Sequence, residues 1–201
     1  GIKIEPIINL EGSHELNQVF FDDVRVPKAN RVGKENDGWS VAKYLLEFER
    51  FSISSTELRR LINRIRRLAN ETDTTGSSLA SDPAFLRKLA QLEINALAME
   101  TSEQRVLANL SAGNRPGSVS SVLNAISAET LQKADELAIE AAAYYGLPYQ
   151  PEALEVGGPS PIGSTITLPL MPSYMNNRMR TIAGGSAEVQ RNIVAKAILE
   201  L

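Results

Sequence analysis

The chain has 201 residues, of which 43% are hydrophobic and 22% charged, and its formal charge is −3. This composition is typical of a globular chain and excludes a fully disordered one. The absence of cysteine excludes disulfide frameworks, thiolate zinc sites and thiol nucleophiles, and one histidine cannot form a His-based metal site. Acid–base chemistry therefore falls mainly to Asp, Glu, Lys or Tyr.

The slightly acidic balance argues against nucleic acid as a partner. No apolar run reaches the roughly 18 residues of a membrane helix, and the amino end has no basic stretch followed by an apolar core. We therefore expect no membrane span, no secretion signal and a cytoplasmic location.

The amino-terminal segment has the short apolar pattern of β-strands. One strand is predicted over Ile2–Ile8 and a second over Val19–Val26, with a turn at 11–13 between them. Because a two-stranded ribbon is marginal in water, we expect residues 1–35 to be the end of a β domain whose other strands lie upstream of Gly1.

From residue 36 the apolar residues recur with the period of amphipathic helices. Long helices are predicted over about 38–69, 83–113 and 120–145, and shorter ones over about 173–182 and 186–201. The Pro- and Gly-rich loop between the third long helix and the first shorter helix is longer than loops in compact domains usually are. We expect it to wrap a site or a partner. The predicted fold over 36–201 is all-α, an up-and-down four-helix bundle with a closing helix, preceded by the short β segment of a truncated β domain.

Two carboxylates lie in the first predicted helix. Glu47 has Lys43 one turn before it, which is typical of a surface acid with an i,i+4 partner. Glu49 falls on the apolar stripe of Leu46 and Ile53, where burial would make its carboxylate an efficient proton acceptor at cellular pH. A core Glu paired with an Arg from another helix explains the same pattern equally well.

The second candidate site is the run Gly184-Gly185-Ser186 at the predicted start of the last helix. Paired glycines let the backbone approach a ligand closely, Ser186 can cap the helix, and free N–H groups at a helix start bind anions or polar ring edges. Composition alone favours an ordinary helix–helix turn over a ligand site.

Three segments together carry a family resemblance. The runs Val19–Pro27, Asn30–Gly33 and Asn36–Trp39 resemble the passage from the middle β domain to the helical domain of acyl-CoA dehydrogenases, and Thr181–Ile193 resembles that family's carboxyl-terminal signature. The run Leu46–Arg50 resembles the first long helix of the isovaleryl and long-chain members. The chain as a whole is similar to the bacterial branch of large-subunit pimeloyl-CoA or steroid type.

The family oxidises the α,β carbons of an acyl-CoA thioester, and the resemblance implies that activity here. A carboxylate removes the α proton while hydride passes from the β carbon to FAD. In most members the base is a Glu just before the closing signature's Gly-Thr or Gly-Ser, a position that is Gly184 in this chain. Isovaleryl and long-chain members take a Glu from the first helix, directly before an Arg. The residue that matches it here is Glu49.

The same matching places Arg50 and Gly185 beside the acyl-CoA and Ser186 and Glu188 beside FAD, with no metal ligand. The implied partners are an electron-transfer flavoprotein and further subunits, either identical or different, in a dimer of dimers. The Arg-x-x-Phe-Gly motif that many members use on the FAD of a neighbouring subunit is not found. Because most of the family's flavin and thioester site lies outside this chain, we expect the fragment alone to be inactive.

Two alternatives remain open on the residues. The chain could be a non-catalytic partner subunit or assembly domain of a heteromeric dehydrogenase, in which another chain supplies the base. A flavin oxidase that passes electrons to oxygen shares the same motifs.

Overall fold

The computed structural model describes residues 1–71 and 78–201, which form a β-hairpin followed by helices. The strands are β1 (Ile2–Ile8) and β2 (His14–Phe21). The α-helices are α1 (Gly38–Glu49), α2 (Ser55–Ala69), α3 (Pro83–Ser111), α4 (Val119–Ala142), α5 (Leu170–Asn176) and α6 (Ala187–Ala197). Short 3-10 segments cover Lys28–Asn30, Leu79–Ser81, Ala143–Gly146, Pro151–Leu154 and Asn177–Thr181. The predicted all-α fold with a short β segment is confirmed, while the domain boundary at residue 35 stays a prediction.

The hairpin pairs β1 and β2 antiparallel, with Ile2 opposite Phe21. The second strand begins at His14, earlier than the predicted Val19. A hydrogen bond of 2.8 Å from Asn9 N to Ser13 O closes the turn, so pairing starts directly after it. The strand also ends earlier, and Asp23 then takes a left-handed φ of 45° that a strand does not allow. The Tyr149 hydroxyl donates to the Glu11 carbonyl oxygen and so ties the hairpin turn to the long loop after α4.

The hydrophobic core lies between α2, α3 and α4, and α6 also packs against α4. Its largest fully buried side chains are Leu58, Ile65, Phe85, Met99 and Leu131. Burial of each such side chain contributes roughly 1.5–3 kcal/mol. The predicted start of α3 is confirmed, since Pro83 occupies its first position and Asp82 Oδ1 accepts a hydrogen bond from Ala84 N at 2.8 Å.

The first predicted helix is in fact two helices, with a break over residues 50–54. Glu103, buried in α3, explains the break: its Oε1 accepts from Ser54 N at 2.8 Å and Ser55 N at 3.0 Å. The Ser55 hydroxyl donates to its other carboxylate oxygen. This carboxylate satisfies N–H groups that a new helix start leaves free. The spacing of apolar residues carries no information about a cap that another helix supplies. The sequence therefore predicted one continuous helix.

The carboxyl-terminal elements follow the predicted order with shifted bounds. α4 ends at Ala142, where Ala143 takes a left-handed φ of 48°. The helix predicted over 173–182 is α5 followed by a 3-10 segment, and the last helix begins after Ser186 as predicted. Part of the polar stretch predicted after the first helix, residues 72–77, lies outside the described residues. No helix in the described ranges is long and apolar enough to cross a membrane.

Candidate active site

The end of α1 meets the glycine pair that precedes α6. Arg50, the residue directly after α1, donates from Nε to the carbonyl oxygen of Gly184 at 3.2 Å. Glu49 is the last residue of α1 and directly precedes Arg50, so its backbone is one residue away from this contact. The fold therefore brings the predicted site positions Arg50 and Gly185 together, with Glu49 next to Arg50 in the chain.

The glycine pair has a backbone that other residues rarely adopt. Gly184 and Gly185 have φ values of +71° and +104°, both in the left-handed region. Gln190, which is fully buried, donates from Nε2 to the carbonyl oxygens of Gly184 and Gly185 at 3.2 and 3.1 Å. A Cβ atom on Gly185 would lie 2.4 Å from that nitrogen. Glycine at 185 is therefore required by the turn itself.

Gln190 was missed as a site residue by sequence reasoning, although it lies within the run that carries the resemblance. Its Oε1 is buried and has no hydrogen-bond partner among the described residues. The signals were its place in that run and on the apolar face of the last predicted helix, and neither separates a core amide from a site residue.

The start of α6 carries the two residues predicted to contact FAD. The Ser186 hydroxyl accepts a hydrogen bond from Val189 N at 3.4 Å and caps the helix, as predicted. Glu188 is exposed in the first turn. Its pKa is lowered, first by its own backbone N–H and then by the Ser186 hydroxyl, with a smaller effect from Arg191. Glu188 therefore keeps its charge at the positive end of the helix dipole.

The two carboxylates of α1 have the reverse of their predicted exposure. Glu49 is exposed and Glu47 is half-buried, so the predicted burial of Glu49 among apolar residues is wrong for the chain described here. The reason is the helix break: Ile53, which was to continue the apolar stripe, lies outside the helix and is 54% exposed. No residue of α1 is buried.

Glu47 is fully engaged by the turn between α3 and α4. Its Oε2 pairs with the Arg115 guanidinium, and its Oε1 accepts from Gly117 N at 3.0 Å. The predicted partner, Lys43, is not the one observed. In the described parts of the chain, the Glu49 carboxylate makes no hydrogen bond or ion pair. Of the two acids, Glu49 is thus the one whose oxygens are free to take a proton from another molecule.

Exposed apolar side chains lie on the Glu49 face of α1 and in the segment before the glycine pair. Leu45 lies one turn before Glu49 on the same face of α1 and is 55% exposed. Ile182, just before the glycine pair, is also exposed. This surface offers apolar contact next to a free carboxylate, as an acyl chain with a reactive α carbon would require.

A cavity of about 1110 Å³ lies at the other end of the bundle and is separate from this surface. Its lining includes Leu68, Ala142 and Tyr145. A Cβ on Gly184 would lie 3.3 Å from Asn124 in the first turns of α4, whereas Ala142 ends that helix. With 1.5 Å per residue, the two positions are about 27 Å apart along α4. The residues described include no cluster of three or more side chains able to hold a metal ion.

The comparisons with known proteins agree on one family. The family model described as "Acyl-CoA dehydrogenase, C-terminal domain" matches residues 36–199. The acyl-CoA dehydrogenase IpdE1 of Mycolicibacterium smegmatis is 30% identical over 201 residues, which are 100% of this chain and 46% of that protein. IpdE1 of Mycobacterium tuberculosis is 30% identical over 207 residues, and the match covers 100% of this chain and 48% of that protein. The chain thus spans about half the length of the curated relatives it matches.

Solved structures share the fold. The ChsE4-ChsE5 complex of Mycobacterium tuberculosis superposes with a TM-score of 0.79 at 25% identity, covering 100% of this chain and 50% of that one. A glutaryl-coenzyme A dehydrogenase in complex with glutaryl-CoA superposes with a TM-score of 0.82, covering 100% of this chain and 48% of that one. At 19% identity, this match is evidence for the fold alone.

Proposed function

Because the chain belongs to the acyl-CoA dehydrogenase family, we propose that it is the carboxyl-terminal part of an FAD-dependent enzyme that oxidises acyl-CoA thioesters, with Glu49 as catalytic base. The Glu49 carboxylate takes the α hydrogen as a proton. FAD, when bound, supplies the acceptor for the hydride that leaves the β carbon, so a double bond forms between the two carbons.

The observation that carries this proposal is the hydrogen bond from Arg50 to Gly184. The position before the signature glycine holds the base in most members of the family, and here it has no side chain. The bond holds Arg50 at that same corner, and Glu49 directly precedes Arg50 in the chain. A carboxylate on α1 can therefore reach a substrate that passes the glycine pair, from a different backbone position.

The residues at the corner fit a flavin. The left-handed Gly184 and Gly185 present bare backbone, and the α6 start offers N–H groups beside the Ser186 hydroxyl. Such a surface accepts a polar ring edge or a phosphate. Ser186 and Glu188 would hold the cofactor, while Gly185 and Arg50 would border the thioester. The positive charge of Arg50 would favour the enolate-like charge that develops as the α proton leaves.

The proposed partners follow from the family and from the surface. We propose an electron-transfer flavoprotein as electron acceptor and an oligomer, a dimer of dimers, as the working assembly. Ile94 and Leu97 on α3 are 61% and 60% exposed, which supports burial against another subunit. The same exposed apolar residues favour the second candidate function, an assembly subunit that leaves catalysis to another chain.

The decisive experiment compares Glu49→Gln with the parent in the complete flavin-loaded protein. Anaerobic bleaching of the flavin would be followed with a panel of acyl-CoAs of different length and branching. Loss of a general base is expected to slow bleaching by about 10²- to 10⁴-fold. Glu100→Gln, in an exposed ion pair with Arg59, is the matched control and should bleach at the parental rate.

Each alternative has its own outcome in that experiment. A Glu49→Gln protein that bleaches at the parental rate would refute the base assignment. Bleaching that requires a second, different chain and is insensitive to Glu49 would identify an assembly subunit. In a parallel aerobic assay with the same acyl-CoAs, oxygen consumption at the rate of anaerobic bleaching would identify an oxidase.

A further inference from the structure

We infer that Glu47 is a positioning residue, whose carboxylate attaches α1 to the turn between α3 and α4 and thereby places the Glu49 carboxylate. This role rests on the proposed function of Glu49. Its starting point is that α1 has no buried residue and is therefore not held by core packing. Its orientation must come from contacts at its surface.

Two polar contacts at the end of α1 supply that orientation. Glu47 binds Arg115 and Gly117 N in the turn between α3 and α4, and Arg50 binds the Gly184 carbonyl. The two contacts lie on either side of Glu49 in sequence. The backbone of Glu49 is thus restrained two residues before it and one residue after it, while its own side chain stays free for a substrate.

Helical geometry makes the Glu47 contact effective on Glu49. Residues two apart in an α-helix are about 200° apart around its axis, so Glu47 and Glu49 lie on nearly opposite faces. Attachment of the Glu47 face to the bundle turns the Glu49 face outward. A rotation of α1 that followed loss of this contact would move the Glu49 carboxylate away from the α carbon.

The contact of Glu47 with Arg115 and Gly117 N can restrain the rotation of α1. The Glu47 side chain is 22% exposed, both its oxygens are engaged, and its hydrogen bonds are charge-assisted. The Arg115 guanidinium also lies 5.1 Å from the centre of the Tyr44 ring, one turn before Glu47 on the same face. Arg115 therefore contacts α1 at two successive turns and restrains its rotation.

The test measures anaerobic flavin reduction in Glu47→Gln, Glu49→Gln and the double variant of the complete flavin-loaded protein. Displacement of a catalytic group by about 1 Å can cost about 100-fold in rate, so we expect Glu47→Gln to slow reduction about 10- to 100-fold. The concentration of acyl-CoA at half-saturation should change less than about twofold, because Glu47 does not touch the substrate. Glu93→Gln, which breaks a comparable exposed pair with Arg66, is the control and should reduce at the parental rate.

The double variant separates positioning from a general structural effect. If Glu47 acts through Glu49, Glu47→Gln should slow the residual rate of the Glu49→Gln protein less than about twofold. An equal loss in both backgrounds would overturn the inference. Arg115→Gln should reproduce the loss, and Arg115→Lys should recover part of it.

The failure of this inference differs from the failure of the proposed function. A parental rate in Glu47→Gln with a slow Glu49→Gln protein would refute the positioning role alone. A parental rate in Glu49→Gln would refute the base assignment and the positioning role with it.

Discussion

The Arg50 Nε donates to the Gly184 carbonyl oxygen at 3.2 Å and joins the end of α1 to the turn before α6. A planar guanidinium is suited to this contact because its donors have a fixed direction. In the proposed mechanism the contact restrains the end of α1 and thereby the position of the Glu49 carboxylate. Its strength is therefore expected to show in catalysis more than in folding.

Arg50→Lys keeps the positive charge but loses the directed Nε–H. We expect kcat/KM of the complete flavin-loaded protein to fall about tenfold or more with acyl-CoA, because Arg50 no longer ties the end of α1 to the Gly184 carbonyl, which keeps only the Gln190 donor. Steady-state kinetics would measure the effect. Arg59→Lys, in an exposed pair between α2 and α3, should leave kcat/KM unchanged. Equal kinetics of the Arg50→Lys protein and the parent would contradict the prediction.

Glu103→Ala is expected to destabilise the fold by about 2–4 kcal/mol. Three donors at the start of α2, from Ser54 N, Ser55 N and the Ser55 hydroxyl, would lose their acceptor in a buried place. Glu103→Gln keeps one carbonyl oxygen and should cost less. Glu100→Gln, one turn earlier on α3, breaks only an exposed pair and should cost under about 1 kcal/mol. Urea unfolding would compare the three proteins, and equal midpoints for Glu103→Ala and Glu100→Gln would disprove the capping role.

Gly185→Ala is expected to cost about 2–4 kcal/mol of unfolding free energy, from a left-handed φ of +104° and from the contact with Gln190. Gly113→Ala separates the two effects: its φ is +81°, but nothing lies within 4 Å of the added Cβ. We expect Gly113→Ala to cost about 1 kcal/mol. Thermal unfolding of both would measure the difference. If the two variants lose the same stability, the close approach to Gln190 is unimportant.

Asp135→Asn is expected to change how stability depends on pH. Burial raises the pKa of the Asp135 carboxyl, against the opposing hydrogen bonds from Asn177 and Ser173 and the charges of Arg178 and Arg180. The folded state therefore holds this proton more tightly than the unfolded state, so the ionised group opposes folding. The loss of unfolding free energy caused by ionisation of Asp135 is absent below the unfolded-state pKa of about 3.9. It grows as pH rises from there to the raised pKa of the folded state.

Denaturant unfolding at several pH values would test that sign. The stability of the parent relative to Asp135→Asn should fall as pH rises from about 4 and then level off above the raised pKa. Glu129→Gln, in an exposed pair with Arg191, should show no such fall. A parent that gains stability relative to Asp135→Asn over this range would show that the hydrogen bonds outweigh burial.

Several features were predictable because their signals are local. The Asp-Pro start of α3 and the Ser186 cap of α6 depend on residues within one turn of the helix end. The all-α fold and the family followed from periodicity and from motifs at both ends of the helical region. Glu49 was singled out by its place before Arg50 in such a motif.

Other features needed contacts between distant residues. The break in the first helix depends on Glu103, 48 residues after Ser55. The exposure of Glu49 follows from that same break, and the engagement of Glu47 depends on Arg115, 68 residues after Glu47. Periodicity reports which side chains share a face within one helix, and it carries no information about the group that the face meets.

The sequence by itself determined the helical character of this protein after the hairpin, the starts of α3 and α6 and the family, because propensity, capping and motif spacing act over a few residues. Only the tertiary structure decided where the first helix breaks, which of its two acids is free, and which glycine the helix end contacts. Those outcomes depend on hydrogen bonds and ion pairs between residues that become neighbours only when the chain folds.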